Sequence, residues 1–188
     1  EVYHERISVG AMTTHTQMSE SPVIRQHAAF LAAAASTVGS PQIRNSGTVG
    51  GNICNGSASA DSGPGLLLYN AKALLVGLDG ERELPLERFL LGPGKVDLRP
   101  GEVLKGVALE KPGSGGRSKY YRRSRVKGMD LSGISMGVYC EGYANFRIAL
   151  GAAWPTVARA HEAEQILNSG PYSMALAEEA AAAIVNDI

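Results

Sequence analysis

Residues 43–53 read Ile-Arg-Asn-Ser-Gly-Thr-Val-Gly-Gly-Asn-Ile, placing a hydroxyl (Thr48), two adjacent glycines (Gly50, Gly51) and an amide (Asn52) together between β-branched residues. Adjacent glycines leave backbone N–H groups uncovered, because no Cβ blocks the approach. Successive exposed N–H groups form a concave nest that favours an anion such as a pyrophosphate. Thr48 adds a hydroxyl to such a nest and Asn52 an amide. The same residues also read as an ordinary glycine turn between two strands. Asp61 closes the small-residue run 57–61. Its carboxylate can accept hydrogen bonds from sugar-like hydroxyls, or it can cap the helix that follows. Arg122, Arg123, Arg125 and Lys127 make a basic cluster, which by itself reads as solvated surface or as a clamp on a partner. His15 reads as structural rather than catalytic, and Cys54 as a small packed residue. There is no Ser-His-Asp spacing, zinc pattern or Walker loop.

Four blocks stand in a characteristic order: Gly10-Ala11-Met12-Thr13-Thr14; Thr48-Val49-Gly50-Gly51-Asn52 with Asp61 after it; Arg99-Pro100-Gly101-Glu102-Val103-Leu104; and Tyr120-Tyr121-Arg122-Arg123-Ser124-Arg125. In this order and spacing, over nearly the whole chain, the sequence resembles the FAD-binding subunit of molybdenum hydroxylases, the xanthine dehydrogenase and carbon monoxide dehydrogenase family. The resemblance implies an α+β fold: the second lobe of a two-lobed FAD-binding domain of the PCMH type, then a small domain of antiparallel strands and helices. It implies FAD contacts from Thr14, Thr48, Val49, Gly50, Gly51, Asn52 and Asp61, with Asp61 at the ribityl or ribose region and Leu104 packed on the isoalloxazine. The family keeps a lysine near Arg122 and Arg123, so one of these arginines is expected near the flavin. Val38 stands where some relatives place an aromatic against the adenine. The resemblance further implies non-covalent FAD, no acid or base catalyst on this chain, and no metal. A molybdopterin subunit and an iron–sulfur subunit are the implied partners, and NAD the acceptor. Related proteins carry an earlier lobe with another glycine-rich loop. None precedes residue 48, so the chain looks like a fragment. The readings from other classes are a docking lobe that binds no flavin by itself, and a stand-alone FAD-linked oxidase.

The bulk properties are compatible with this. The 18 basic and 18 acidic residues balance, which argues against a broad nucleic-acid or membrane-binding surface. Hydrophobic content of 44% is that of a globular protein, and 23 glycines imply many turns. The longest apolar runs are too short to span a bilayer. Two cysteines, Cys54 and Cys140, make neither a disulfide framework nor a metal cluster. Any iron–sulfur cluster must then lie on another chain, and a reduced cytoplasm is the expected setting.

The elements that must position these residues follow from local signals. Residues 7–11 read as a strand. Ser21-Pro22 opens a helix that Gly39 ends, with Ile24, Ala28, Leu31 and Ala35 at helical spacing. Residues 43–53 are expected as loop, and 66–69 as a short helix after the Gly63-Pro64-Gly65 break. Residues 73–78 and 82–84 suggest a hairpin turning at Asp79-Gly80. A helical turn over 86–90 and a strand over 103–109 follow. The division expected is 1–112 for the FAD-binding lobe, 113–116 for a linker and 117–188 for the C-terminal domain. In the last part, 134–143 and 146–154 read as paired strands and 157–167 as an amphipathic helix. Ser173 reads as the cap of a final helix running to Val185.

Overall fold

The computed structural model describes residues 2–3, 6–113, 115–126 and 130–188. In chain order the elements are β1 (Val2–Tyr3), β2 (Arg6–Gly10), α1 (His15–Glu20), α2 (Pro22–His27), α3 (Ala29–Ser36), α4 (Pro41–Ser46), α5 (Val49–Cys54) and α6 (Ser62–Leu68). Next come β3 (Lys72–Gly77), β4 (Gly80–Pro85), α7 (Leu86–Phe89), β5 (Leu90–Gly92), β6 (Lys95–Val96) and β7 (Val103–Glu110). The remainder is β8 (Gly116–Arg123), β9 (Ile134–Glu141), β10 (Ala144–Gly151), β11 (Ala158–Arg159), α8 (His161–Leu167) and α9 (Met174–Asp187). This is the expected mixture of helices and antiparallel sheets. Among the described residues no helix is long and apolar enough to cross a membrane.

One sheet has the order β1-β2-β7-β3-β4 and another the order β11-β10-β9-β8, with antiparallel pairing in both. A helical layer lies between them. Ile7, Val9, Ala73, Leu75, Val107 and Leu109 of the first sheet share a buried core with α3 and α6. From the second sheet, Tyr139 and Ala149 enter that same core. Gly137 is required there, since a Cβ would lie 2.5 Å from the Phe30 ring. The opposite face of the second sheet, with Phe146, Ile148 and Leu150, is covered by Ala163 and Leu167 of α8 and Ala180 of α9. Side chains alternate between these two faces with the period of a strand.

Several local signals are realised. Ser21 caps α2 with Pro22 at its first turn, and Ser173 caps α9 through Leu176 N. The hairpin forms with Gly77 opposite Gly80, so the turn residues are Leu78-Asp79, one place earlier than the sequence suggests. Other expectations need correction. Residues 43–53 are not loop: they hold the end of α4 and most of α5, separated by Gly47 and Thr48. The single helix expected from Ser21 to Gly39 is two, broken at Ala28. Alanines give no periodic signal, and α3 is buried at Phe30, Leu31, Ala32, Ala34 and Ala35, so no polar face marks the break. Gly63-Pro64-Gly65 does not precede α6 but forms its first turn. Pro64 lacks only an N–H that a first turn leaves unpaired anyway. A Cβ on Gly65 would lie 2.8 Å from Phe30, and one on Gly63 2.7 Å from Val157, so glycine lets α6 approach both. Residues 157–167 split into β11 and α8. Helix α1 and strand β8 are further elements beyond those expected from the sequence.

Candidate functional site

Two threonines converge first. Thr14 is the N-cap of α1, with Gln17 returning the hydrogen bond as a capping box. Thr48 is the N-cap of α5 and its Oγ1 accepts from Gly51 N at 3.1 Å. Thr14 and Thr48 form an isolated antiparallel bridge. It is closed by His15 N to Gly47 O at 3.0 Å and Val49 N to Thr13 O at 2.9 Å. That pattern makes the two threonines a non-hydrogen-bonded pair, whose side chains stand close together on one face. Both hydroxyl oxygens act as acceptors for cap amides, and among the described residues neither hydroxyl hydrogen has an acceptor.

The glycine pair works differently from a nest of free N–H groups. Gly50 N donates to Ala11 O at 2.8 Å and Val49 N to Thr13 O at 2.9 Å. Gly51 N is taken by the Thr48 hydroxyl. Gly50 and Gly51 are not among the positive-φ glycines either. Gly50 is there for contact: a Cβ would lie 2.6 Å from Ala11 Cβ and 2.8 Å from Ala11 O. Gly51 is exposed, with only Thr48 Oγ1 in the way of a Cβ, at 3.1 Å. Val49 is buried in the core, so its side chain faces away from any ligand. Asn52 holds Ser62 through a 2.7 Å bond from the Ser62 hydroxyl, and so ties α5 to the start of α6.

Asp61 precedes Ser62 but does not cap α6 with its side chain. Its Oδ1 instead accepts from Tyr120 OH at 3.3 Å, Arg122 Nε at 3.2 Å and the Ser132 hydroxyl. Alternation along β8 turns Ser118, Tyr120 and Arg122 inward and leaves Arg117, Lys119, Tyr121 and Arg123 exposed. The two arginines, of which one is expected near the flavin, are therefore unlike. Arg122 is 14% exposed and paired with Asp61 at 9%, while Arg123 lies outside with no ion pair among the described residues. Arg125 pairs with Asp130 at 3.6 Å, and Lys127 lies outside the described residues. Burial, the largest influence, pushes the Tyr120 phenol up to about 12, so it stays a neutral donor.

Thr14, Thr48, Gly51, Asn52, Asp61 and Arg122 thus form a connected set, through the bridge, α5, Ser62 and the ion pair. Leu104 does not join it by direct contact. It is half-buried on β7, opposite Leu75, and packs on the main core. Nothing in the sequence singles out Ser132, because a lone serine after Leu131 carries no local signal. Tyr120 stands in a recognisable block, but only the strand alternation turns it toward Asp61.

His15 lies beneath this set, 2% exposed, and its Nδ1 has no partner among the described residues. Burial pulls its pKa below the ordinary value, Asp61 opposes the shift and Arg44 reinforces it. The unfolded chain therefore takes up a proton first as pH falls past about 6.5. The stabilisation is complete above that value and is lost as pH falls toward the lowered folded pKa. The urea midpoint should drop more between about pH 7.5 and 5.5 for the wild type than for His15→Gln. Equal slopes in the two proteins would refute the assignment.

Comparison with known proteins agrees over both halves. Residues 1–111 match the family model described as the FAD binding domain in molybdopterin dehydrogenase. Residues 119–188 match the CO dehydrogenase flavoprotein C-terminal domain. The chain is 35% identical over 187 residues to a putative xanthine dehydrogenase FAD-binding subunit of Escherichia coli (strain K12), covering 97% of this chain and 64% of that protein. It is 34% identical over 140 residues to the nicotinate dehydrogenase FAD-subunit of Eubacterium barkeri, covering 73% of this chain and 47% of that one. The solved carbon monoxide dehydrogenase from Hydrogenophaga pseudoflava that lacks the Mo-pyranopterin moiety of the molybdenum cofactor superposes with a TM-score of 0.92 at 29% identity. That superposition covers 97% of this chain and 65% of the matched one. The chain thus spans just under two thirds of the length of the Escherichia coli subunit and of the solved carbon monoxide dehydrogenase chain.

Proposed function

We propose, from the premise that this chain belongs to the family of FAD-binding domains in molybdopterin dehydrogenases, that it is the FAD-carrying electron-transfer part of a molybdenum hydroxylase. In this reading a molybdopterin subunit oxidises the substrate, and electrons pass through iron–sulfur clusters on a partner subunit to the FAD held here, and on to NAD. Residues 1–112 serve as the second lobe of the FAD-binding domain and 117–188 as the C-terminal domain. Two unpaired cysteines, Cys54 and Cys140, accord with a reducing cytoplasm.

The donor set carries this reading and fits the cofactor. A pyrophosphate needs hydrogen-bond donors, and the paired Thr14 and Thr48 hydroxyls supply them together with the Asn52 side-chain amide. Exposed Gly51 leaves the approach to Thr48 open. A ribityl or ribose chain needs an acceptor. Asp61 offers one, because its three protein donors all sit on Oδ1. Bound FAD supplies two-electron redox chemistry, while the protein supplies binding, orientation and electrostatics. No side chain of the set is required as acid or base. Arg122 neutralises Asp61, so the sugar-facing end presents little net charge. Leu104 and Arg123 stay candidates for the flavin ring through the resemblance: among the described residues no hydrogen bond or ion pair joins either side chain to the connected set.

The test is a titration of FAD into the purified protein, followed by flavin fluorescence. The protein should bind FAD tightly and non-covalently. A folded protein that takes up no flavin would sink the reading.

A further inference from the structure

We propose that Ser132 and Tyr120 are positioning residues that hold one oxygen of the Asp61 carboxylate and so present the other to a hydroxyl of the cofactor's sugar chain. This rests on the FAD reading above.

The inference comes from how the donors are distributed. Ser132 Oγ, Tyr120 OH and Arg122 Nε all converge on Asp61 Oδ1, and no described protein group donates to Oδ2. An ionised carboxylate has about four lone-pair positions on its two oxygens. A structural arginine pair tends to use both oxygens through a two-pronged contact. Here Arg122 offers only Nε to the carboxylate. Its Nη2 donates to Asp130 O at 2.6 Å and its Nη1 to Ser124 Oγ at 3.3 Å. The guanidinium is thereby turned so that it cannot close over Oδ2. Oδ2 is also not among the sealed, unpartnered atoms of the described residues.

Ser132 is the hinge of the arrangement. It is 4% exposed, accepts from Arg122 Nε at 2.7 Å and commits its single hydrogen to Asp61. The direction of both bonds is fixed, because a guanidinium N–H can only donate and a carboxylate can only accept. Tyr120 approaches the same oxygen from β8 and is braced edge-on against Phe30, with ring centroids 5.0 Å apart. Both residues come from the segment that matches the C-terminal family model, whereas Asp61 comes from the FAD-binding one. The carboxylate is therefore oriented across the two parts of the chain. Because Arg122 already compensates its charge, the free oxygen favours a neutral hydroxyl donor over a second cation.

The experiment measures FAD dissociation constants for Ser132→Ala, Ser132→Thr and Tyr120→Phe in the complete subunit, with apoprotein melting recorded alongside. Ser132→Ala should weaken FAD roughly tenfold, and Ser132→Thr should restore most of the loss by returning the hydroxyl. Tyr120→Phe should weaken it in the same direction, by a smaller factor. Combined with Asp61→Asn, the effect of Ser132→Ala should shrink to less than about twofold, because the orientation it provides has no carboxylate left to act on. Wild-type binding together with an unchanged constant in Ser132→Ala, or an equal loss in the Asp61→Asn background, overturns the assignment alone. If Ser132→Ala does not fold, Tyr120→Phe takes its place in the cycle, and an unchanged constant or an equal loss there overturns the assignment in the same way. A wild-type subunit that holds no FAD overturns the cofactor reading and this assignment with it.

Discussion

Replacing Gly50 with valine should unsettle the fold itself, whereas replacing Gly51 with alanine should leave the fold intact and act on the cofactor. A Cβ at Gly50 would lie 2.6 Å from Ala11 Cβ, 2.8 Å from Ala11 O and 3.0 Å from Ala11 Cα, and valine adds two methyls to that overlap. The N–H of Gly50 also bonds Ala11 O at 2.8 Å, so separating the segments breaks that bond as well. Overpacking of this kind costs about 3 kcal/mol, or roughly 6–12 °C in melting temperature for a chain of this size. Gly51 is exposed, and its added Cβ meets only Thr48 Oγ1 at 3.1 Å. Alanine also suits a helix better than glycine does. Gly51→Ala should therefore melt within a degree or two of wild type, a change of about half a kcal/mol. It should retain less FAD if the cofactor passes over Thr48. Circular dichroism melts and flavin absorbance of the two purified variants separate these effects. A Gly50→Val protein that melts like the wild type would show that the approach to Ala11 is not tight.

Arg122→Met should be the most damaging single change at the site. It removes one partner of an ion pair whose side chains are 14% and 9% exposed, leaving the Asp61 charge buried and uncompensated. Breaking such a pair costs about 3–5 kcal/mol. Ser132 and Tyr120 still donate to the carboxylate, which puts the expected loss at the lower end, about 3 kcal/mol. With Asp61 at the sugar chain as proposed, its unpaired negative charge also disfavours the anionic reduced flavin through longer-range Coulomb repulsion. The two-electron potential of the bound FAD should therefore fall, at roughly 20 mV for each 1 kcal/mol of interaction. Adding Asp61→Asn to Arg122→Met should return both stability and potential toward wild type, since the unpaired charge is then gone. Arg123→Met, on the outer face of β8, should change neither. Urea denaturation and redox titration of the three proteins test this. If the double variant is no better than the single one, Arg122 acts through some contact other than Asp61.

The features legible along the chain are mainly those that sequence neighbours can write. Ser21-Pro22 and Ser173 start helices because a hydroxyl reaches an amide three residues on. The hairpin over β3 and β4 follows from alternation around a short turn. The Thr-x-Gly-Gly-Asn block with Asp61 after it marked the family, because the identities and their spacing are themselves the signal. The meaning of those residues was decided elsewhere. As a local string, Gly50-Gly51 suggests free N–H groups, but Ala11 and Thr48 consume them, and Ala11 is distant in sequence. Thr14 and Thr48 become a pair only through a bridge between separate helix starts. Asp61 meets Arg122 across 61 positions and Ser132 across 71. No periodicity records such distances. They are set by how two sheets close on the α3–α6 layer, where Gly137 and Gly65 permit contact with Phe30. That close packing, a property of the assembled core rather than of any segment, turned Arg122 inward and Arg123 out, and gave Ser132 a partner that its own neighbours could not foretell.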